Sequence, residues 1–246
     1  MKNLAQMVLS GEMISDDGML LLGFQRTKQI SGKSRRKWMK GDDSFLSQEI
    51  RERRAEIFNG ALDEIFQEYV PIREYLIANK IRPKSVIDIG CGQAINDAFL
   101  ESDFSPRFTL VDIEETDDQY HGWANTGSGY ASLHDASVFL KHNGVSAERL
   151  MIINPRKDPA AVFKINGDFV CSLYSCGFHY PIDEYLDLFC RTVIDGGVVV
   201  LDFRKGYLNK NTRACTTLFS LGQVVELYDD EKSKRLLVTA KGPISN

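Results

Sequence analysis

Asp88, Gly90 and Gly92 stand at alternate positions in Val86-Ile87-Asp88-Ile89-Gly90-Cys91-Gly92-Gln93-Ala94-Ile95. An apolar strand pattern runs into the acid and a helical pattern follows, so the glycines fall in a strand-to-helix turn. Glycine adopts turn conformations closed to other residues and leaves room for a ligand where a side chain would stand. The helix start offers free N–H groups and a positive dipole end. Asp88 sets the chemistry: a negative charge at the end of the strand opposes a diphosphate and suits a cationic head or a hydroxyl.

A second acid follows about twenty residues on, where Phe108-Thr109-Leu110-Val111 ends in Asp112-Ile113. An acid so placed hydrogen-bonds the ribose hydroxyls of a bound nucleoside, although Asp is also a favoured helix cap. The dinucleotide fingerprint asks for a third glycine where this chain has Ile95, which argues against an oxidoreductase. The pattern D-x-G-x-G-x-A instead resembles motif I of the class I S-adenosylmethionine-dependent methyltransferases. The resemblance implies S-adenosylmethionine as cofactor. Asp88, Gly90, Cys91 and Gly92 would lie against its amino-acid end, Asp112 would hold the ribose, and Ile113 would lie against the adenine.

The elements needed to position these residues are legible. Strand patterns recur at 150–153, 169–174 and 198–203, with helical patterns at 130–143 and 182–194 between them. Strands alternating with helices make a parallel sheet wound on both faces. At the end, 223–227 and 235–239 read as two strands joined by a charged turn. The expected fold is α/β, a doubly wound and mostly parallel seven-stranded sheet closed by an antiparallel hairpin. Class I methyltransferases resemble this ending closely, with five parallel strands and a last strand that inserts antiparallel. The resemblance covers about 81–242, within an expected cofactor-binding domain of 81–246, ahead of which 1–80 read as a basic loop and a helical cap or lid.

The resemblance also implies where an acceptor would arrive, over the ends of the fourth and fifth strands. The sequence there reads Ser172-Leu173-Tyr174-Ser175-Cys176-Gly177-Phe178-His179-Tyr180-Pro181. Ser172 and Tyr174 would line the floor beside the methyl group. His179 is the candidate base, since its ordinary pKa of about 6.5 suits proton transfer near neutrality; the plain alternative is a packed or capping His. No Asn-Pro-Pro-Tyr follows the fourth strand and no Pro-Cys nucleophile is present, unlike enzymes of adenine, cytosine and C5 methylation. Asn154, in Asn154-Pro155, sits where relatives place an acid against the adenine amino group. Asp202 and Arg204 share a side of the fifth strand. They read as an internal salt bridge, or Arg204 holds a substrate carboxylate or phosphate. Tyr120, His121 and Trp123 could roof the adenosine or pack on the flank.

Ahead of the sheet, apolar residues from Ile50 to Tyr69 recur at helical spacing. They predict one amphipathic helix from Ser44 or Ser47 to Val70, stopped by Pro71, which opens a second through Asn79. Arg26, Lys28, Lys33, Arg35, Arg36, Lys37 and Lys40 occur with no acid among them, although the chain is net −4. With Ser31, Gly32 and Ser34 this stretch reads as a flexible loop, either solvated or a lid over an anionic substrate. Trp38 within it needs an apolar surface to cover, which makes it a candidate substrate contact. Basic residues with an aromatic also suit RNA, yet one short patch on an acidic protein is a thin footprint.

Hydrophobic content of 43% is that of an ordinary globular chain. No apolar run approaches the roughly 20 residues that span a bilayer. Acids precede the short run Met19–Leu22, which argues against a signal peptide. The five scattered cysteines match no zinc spacing and suit a cytosolic, reduced protein. The expected activity is methyl transfer to oxygen of a small or sugar-like anionic molecule, with no membrane partner. The alternatives are RNA modification through the basic segment, and a non-catalytic interaction module.

Overall fold

The computed structural model describes residues 7–114 and 131–240. Tyr120, His121 and Trp123 lie outside them. Seven strands form one sheet: β1 (Ser85–Ile89), β2 (Arg107–Val111), β3 (Leu150–Ile153), β4 (Phe169–Ser172), β5 (Val198–Arg204), β6 (Gly222–Asp229) and β7 (Ser233–Ala240). Their order is β3-β2-β1-β4-β5-β7-β6. β1 to β5 are parallel, and β7 runs antiparallel to both β5 and β6. β1 is therefore central, with β2 on one side and β4 on the other. The winding reverses there, and the crevice that opens at the carboxyl ends of β1 and β4 is where such sheets bind ligands.

Nine helices accompany the strands among the described residues. α1 (Asp16–Gln25), α2 (Gly32–Trp38) and α3 (Ser44–Ala78) precede the sheet. α4 (Ile95–Phe104), α5 (Leu133–His142), α6 (Pro159–Val162), α7 (Leu186–Ile194), α8 (Lys205–Leu208) and α9 (Arg213–Ser220) follow in the connections. Alternation along the strands divides the core in two. Val86, Phe169, Cys171, Val198 and Val200 face a cluster built with α1, α3, α4 and α5. Ile87, Val170, Val199 and Leu201 face a second cluster built with α7 and α9. Both faces are covered over β1, β4 and β5, which are buried as near-continuous apolar runs, whereas the edge strands β3 and β6 are largely exposed. The N-terminal helices share the first cluster with the sheet.

Two expectations for this segment are corrected. Pro71 does not end the long helix: α3 runs through it, and the only non-helical backbone inside is at Arg53, with φ −127° and ψ 22°. The reason is anchoring on both sides of the proline. Arg73 grips Asp103 of α4 at 2.7 and 2.9 Å, and the Tyr69 hydroxyl donates to the same carboxylate at 3.0 Å. The basic stretch is not a flexible loop throughout. Ser31 caps α2 by accepting from the Ser34 N–H at 3.1 Å, and the Ser31 N–H donates to the Glu49 carboxylate at 2.9 Å. Acids from α3 and the loop before it supply what the segment lacks: Arg26 pairs with Glu68 and Lys37 with Asp42.

A third correction concerns β5. Asp202 does not pair with Arg204. Its partner is Arg235, directly opposite on β7, with two N–H···O bonds of 2.7 Å. Both side chains are almost wholly buried. Arg235 also donates to the Glu68 carbonyl of α3, so one guanidinium joins the hairpin, the sheet and the N-terminal segment. Breaking a buried pair leaves an uncompensated charge. Arg235→Met is expected to lower unfolding free energy in urea by about 3–5 kcal/mol. Adding Asp202→Asn to that variant should recover a substantial part of the loss.

Candidate functional site

The chain leaves β1 through three left-handed residues, Gly90 (φ 74°), Gly92 (φ 55°) and Ala94 (φ 56°), before α4 begins. A side chain at Gly90 would collide with Ser175 of the β4–α7 connection. At Gly92 an added Cβ meets nothing within 4 Å, because that direction opens into a cavity. The turn is fixed from two sides. The Gly90 N–H donates to the Val111 carbonyl at 2.7 Å, and the Gly92 N–H donates to Asp112 at 2.9 Å.

The cavity has a volume of about 380 Å³. Its walls come from the glycine turn, the end of α1 (Leu22 to Arg26), α3 (Ile65 and Glu68) and the loop after β4 (Leu173 to Tyr180). At one end lie Asp88, Gln93, Asn96 and Asp112. Asp88 Oδ1, Gln93 Oε1 and both amide atoms of Asn96 are buried without a hydrogen-bond partner among the described residues. Buried polar atoms are ordinarily paired, so this end is built for a ligand carrying both donors and acceptors. Burial raises the Asp88 carboxyl to about 6 and that of Asp112 to about 7. Asp112 keeps backbone donors on both oxygens, from Gly92 at 2.9 Å and Ile113 at 2.7 Å. Lone pairs remain on each oxygen for ligand hydroxyls. Ile113 lines a small annex of about 70 Å³ on the far side of Asp112, with Pro181 and Tyr185.

The other end is aromatic and charged. Arg26 and Glu68 form a two-pronged ion pair at 2.6 and 3.0 Å. Tyr174, itself left-handed at φ 55°, lies between the guanidiniums of Arg26 and Arg235, 5.9 and 5.8 Å from its ring centre. Phe24, Phe178, His179 and Tyr180 complete the wall. Arg204 Nη2 lies 3.3 Å from His179 Nδ1, and its guanidinium covers the Phe178 ring at 4.6 Å. Burial first, and then the Arg204 charge, holds the imidazole down at about 4, so it is neutral near pH 7. A guanidinium only donates, so Nδ1 accepts and the single ring proton resides on Nε2.

Of the residues singled out in the sequence, Asp88, Gly90, Cys91, Gly92, Asp112, Tyr174 and His179 meet at this one cavity. Four others do not line it. Ser172 is fully buried as a strut, donating to the Ile89 carbonyl at 2.7 Å and accepting from the Cys176 N–H at 2.9 Å. The Asn154 amide is engaged by Glu114 at 3.0 Å and by the Arg156 N–H at 3.0 Å. Trp38 stacks behind Phe24 with ring centres 5.4 Å apart. Arg204 reaches the site through His179. Sequence reasoning missed Gln93, Asn96, Arg26 with Glu68, and Arg235. Gln93 and Asn96 follow the glycines directly and were open to inspection, whereas the ion pairs join residues tens of positions apart. Among the described residues no group of three or more His, Cys, Asp or Glu is placed to hold a metal ion. No described helix is long and apolar enough to cross a membrane.

No protein-family model matches the chain, and no curated protein matches it. Solved structures do. A methyltransferase from Pyrococcus furiosus is 16% identical over 70% of this chain and 83% of that one, with a TM-score of 0.44. A candidate O-methyltransferase from Nostoc punctiforme is 13% identical over 74% of this chain and 58% of that one, at 0.46. MtNAS, in complex with MTA and tNA, is 13% identical over 92% of this chain and 72% of that one, at 0.47. At this distance none of the three carries a functional reading. The fold is decided by the sheet itself: five parallel strands ordered about a central β1, with the last strand inserted antiparallel between the fifth and sixth, give this chain the class I, Rossmann-like methyltransferase fold.

Proposed function

We propose that this chain is an S-adenosylmethionine-dependent methyltransferase acting on oxygen of a small, sugar-like, anionic acceptor. The observation that carries the reading is the orphaned polar cluster under the glycine turn. Asp88, Gln93 and Asn96 suit a head bearing both an ammonium and a carboxylate, next to a glycine whose missing side chain leaves space. Asp112 would take the ribose hydroxyls and Ile113 the base. S-adenosylmethionine, when bound, supplies a methyl group on a sulfonium whose departure leaves a neutral thioether.

The chain's own contribution is alignment and exclusion of water. The aromatic wall suits the apolar face of a sugar-like ring, and Arg26 would turn its planar fork to a carboxylate or phosphate by exchanging Glu68 for it. Arg204 occupies the lone pair of Nδ1, so His179 serves as an N–H donor that orients the acceptor. A base role would need Arg204 to leave. Besides Arg26, two of the basic side chains between 26 and 40 are engaged within the protein, Lys37 by Asp42 and Lys33 over the Phe45 ring at 3.9 Å. That favours a small acceptor over RNA.

Calorimetric titration with S-adenosylmethionine and with its demethylated product is the direct test. Micromolar binding of both is expected, and binding of neither overturns the reading. Asp112→Ala should weaken both affinities by several-fold or more while circular dichroism stays unchanged; undiminished affinity would remove Asp112 from the ribose site. Once an acceptor is found by screening anionic sugars and hydroxylated metabolites, Arg26→Met should raise its KM roughly 10-fold or more, the scale of a lost charged hydrogen bond. The cofactor Kd should stay within about two-fold, since the ion pair lies at the other end of the cavity. His179→Gln, which keeps a side-chain donor, should retain most of the turnover that His179→Ala loses. The wild-type rate should show no inflection near 6.5, since the ring titrates near 4. A dead Gln variant would restore His179 as the base.

A further inference from the structure

Asp88 and Asp97 are both buried, at 3% and 0% exposure, and their carboxyls face one another below the glycine turn. Asp88 ends the central strand region; Asp97 is the third residue of α4. Taken as two carboxylates, Asp88 Oδ1 and both oxygens of Asp97 have no donor among the described residues. Among the described residues no cation is paired with them. Arg235, whose charge acts on the neighbouring Cys171, is committed to Asp202 and to the Glu68 carbonyl. The other titratable groups facing the pair are Cys91 of the turn, Cys171 of β4 and Asp112 at the end of β2, and burial keeps both thiols protonated. Two like charges side by side in a dry site do not both ionise.

We infer that Asp97 is a positioning residue, kept protonated so that its carboxyl hydrogen is donated to Asp88, and that the pair presents one negative charge to a cationic ligand head. The inference rests on the cofactor reading above for the identity of that head. The bond adds a second donor to the Cys171 thiol already directed at Asp88, and it fixes the Asp88 carboxylate with Oδ1 left over for the ligand. Asp97 itself is wholly buried and acts only through Asp88.

The test compares two ligands that differ in the head. S-adenosylmethionine carries an ammonium; 5′-methylthioadenosine keeps the nucleoside and lacks the amino-acid end. For the wild type, affinity for S-adenosylmethionine is expected to fall as pH drops through about 6, where Asp88 takes up its proton, while affinity for methylthioadenosine falls less. Asp97→Asn keeps a donor and should leave that profile unchanged. Asp97→Ala removes it and should move the fall to higher pH. Equal profiles for the two ligands, or for all three proteins, would overturn the inference. A second readout needs no ligand. Carboxyls whose folded pKa is raised cost stability increasingly as pH rises above their unfolded value of about 4. The melting temperature of Asp97→Asn should therefore gain on the wild type as pH rises from 5 to 9, whereas a purely steric effect gives a constant gap. If neither ligand binds, the cofactor reading fails; a constant gap would then sink the shared proton too, and a widening one would keep it.

Discussion

Where the chain leaves β1, the backbone passes through a left-handed conformation three times in five residues, at Gly90, Gly92 and Ala94. That constraint organises the rest of the site. The turn lets the strand end and α4 begin without a side chain standing between them, which opens the cavity against bare backbone. It also puts neighbouring elements under obligation. β2 supplies the Val111 carbonyl and the Asp112 carboxylate that hold the turn. Ser175 fills the space that a side chain at Gly90 would claim. The Gln93 side chain donates to the Gly18 carbonyl, so α1 is tied to the same turn.

Polar groups are distributed unevenly along the cavity. Near the turn, acids and amides are buried without partners, a cost that a folded chain carries where a ligand will repay it. At the other end two charges are matched within the protein, Arg26 by Glu68 and Arg235 by Asp202. The unmatched end leaves buried donors and acceptors open, whereas the matched pairs hold the wall in place. The two ends are linked through the Glu68 carbonyl, which receives the Arg235 guanidinium. The N-terminal helices are thus part of the site: α1 and α3 close the cavity over a sheet whose own residues form only its floor.

Much of this was legible in the residues. Alternating apolar strands, the glycine pair, two acids about twenty positions apart and the charged final turn are local patterns. Each maps onto strand, turn or hairpin by short-range sterics and hydrophobic periodicity. They sufficed for the sheet, its antiparallel ending and the glycine turn that lines the cavity. The readings that needed revision involve choices among distant partners. Asp202 had Arg204 two residues away, yet the antiparallel register set Arg235 opposite it. Pro71 signals a helix break, yet packing against Asp103 on α4 carries the helix through. Ser31, Gly32 and Ser34 signal a loop, yet Ser31 caps a helix there, held in place by Glu49 of α3.

The sequence by itself determined the order of elements, the conformation of the glycine turn and the presence of an acid at each of the first two strand ends, because these depend on residues within a few positions of one another. Only the tertiary structure decided which charges pair, which side of the imidazole is occupied, and which polar atoms are left buried and alone. Those outcomes depend on distances between residues tens to more than a hundred positions apart. Propensity and periodicity carry no information about them, and the packing of α3 and β7 against the sheet does.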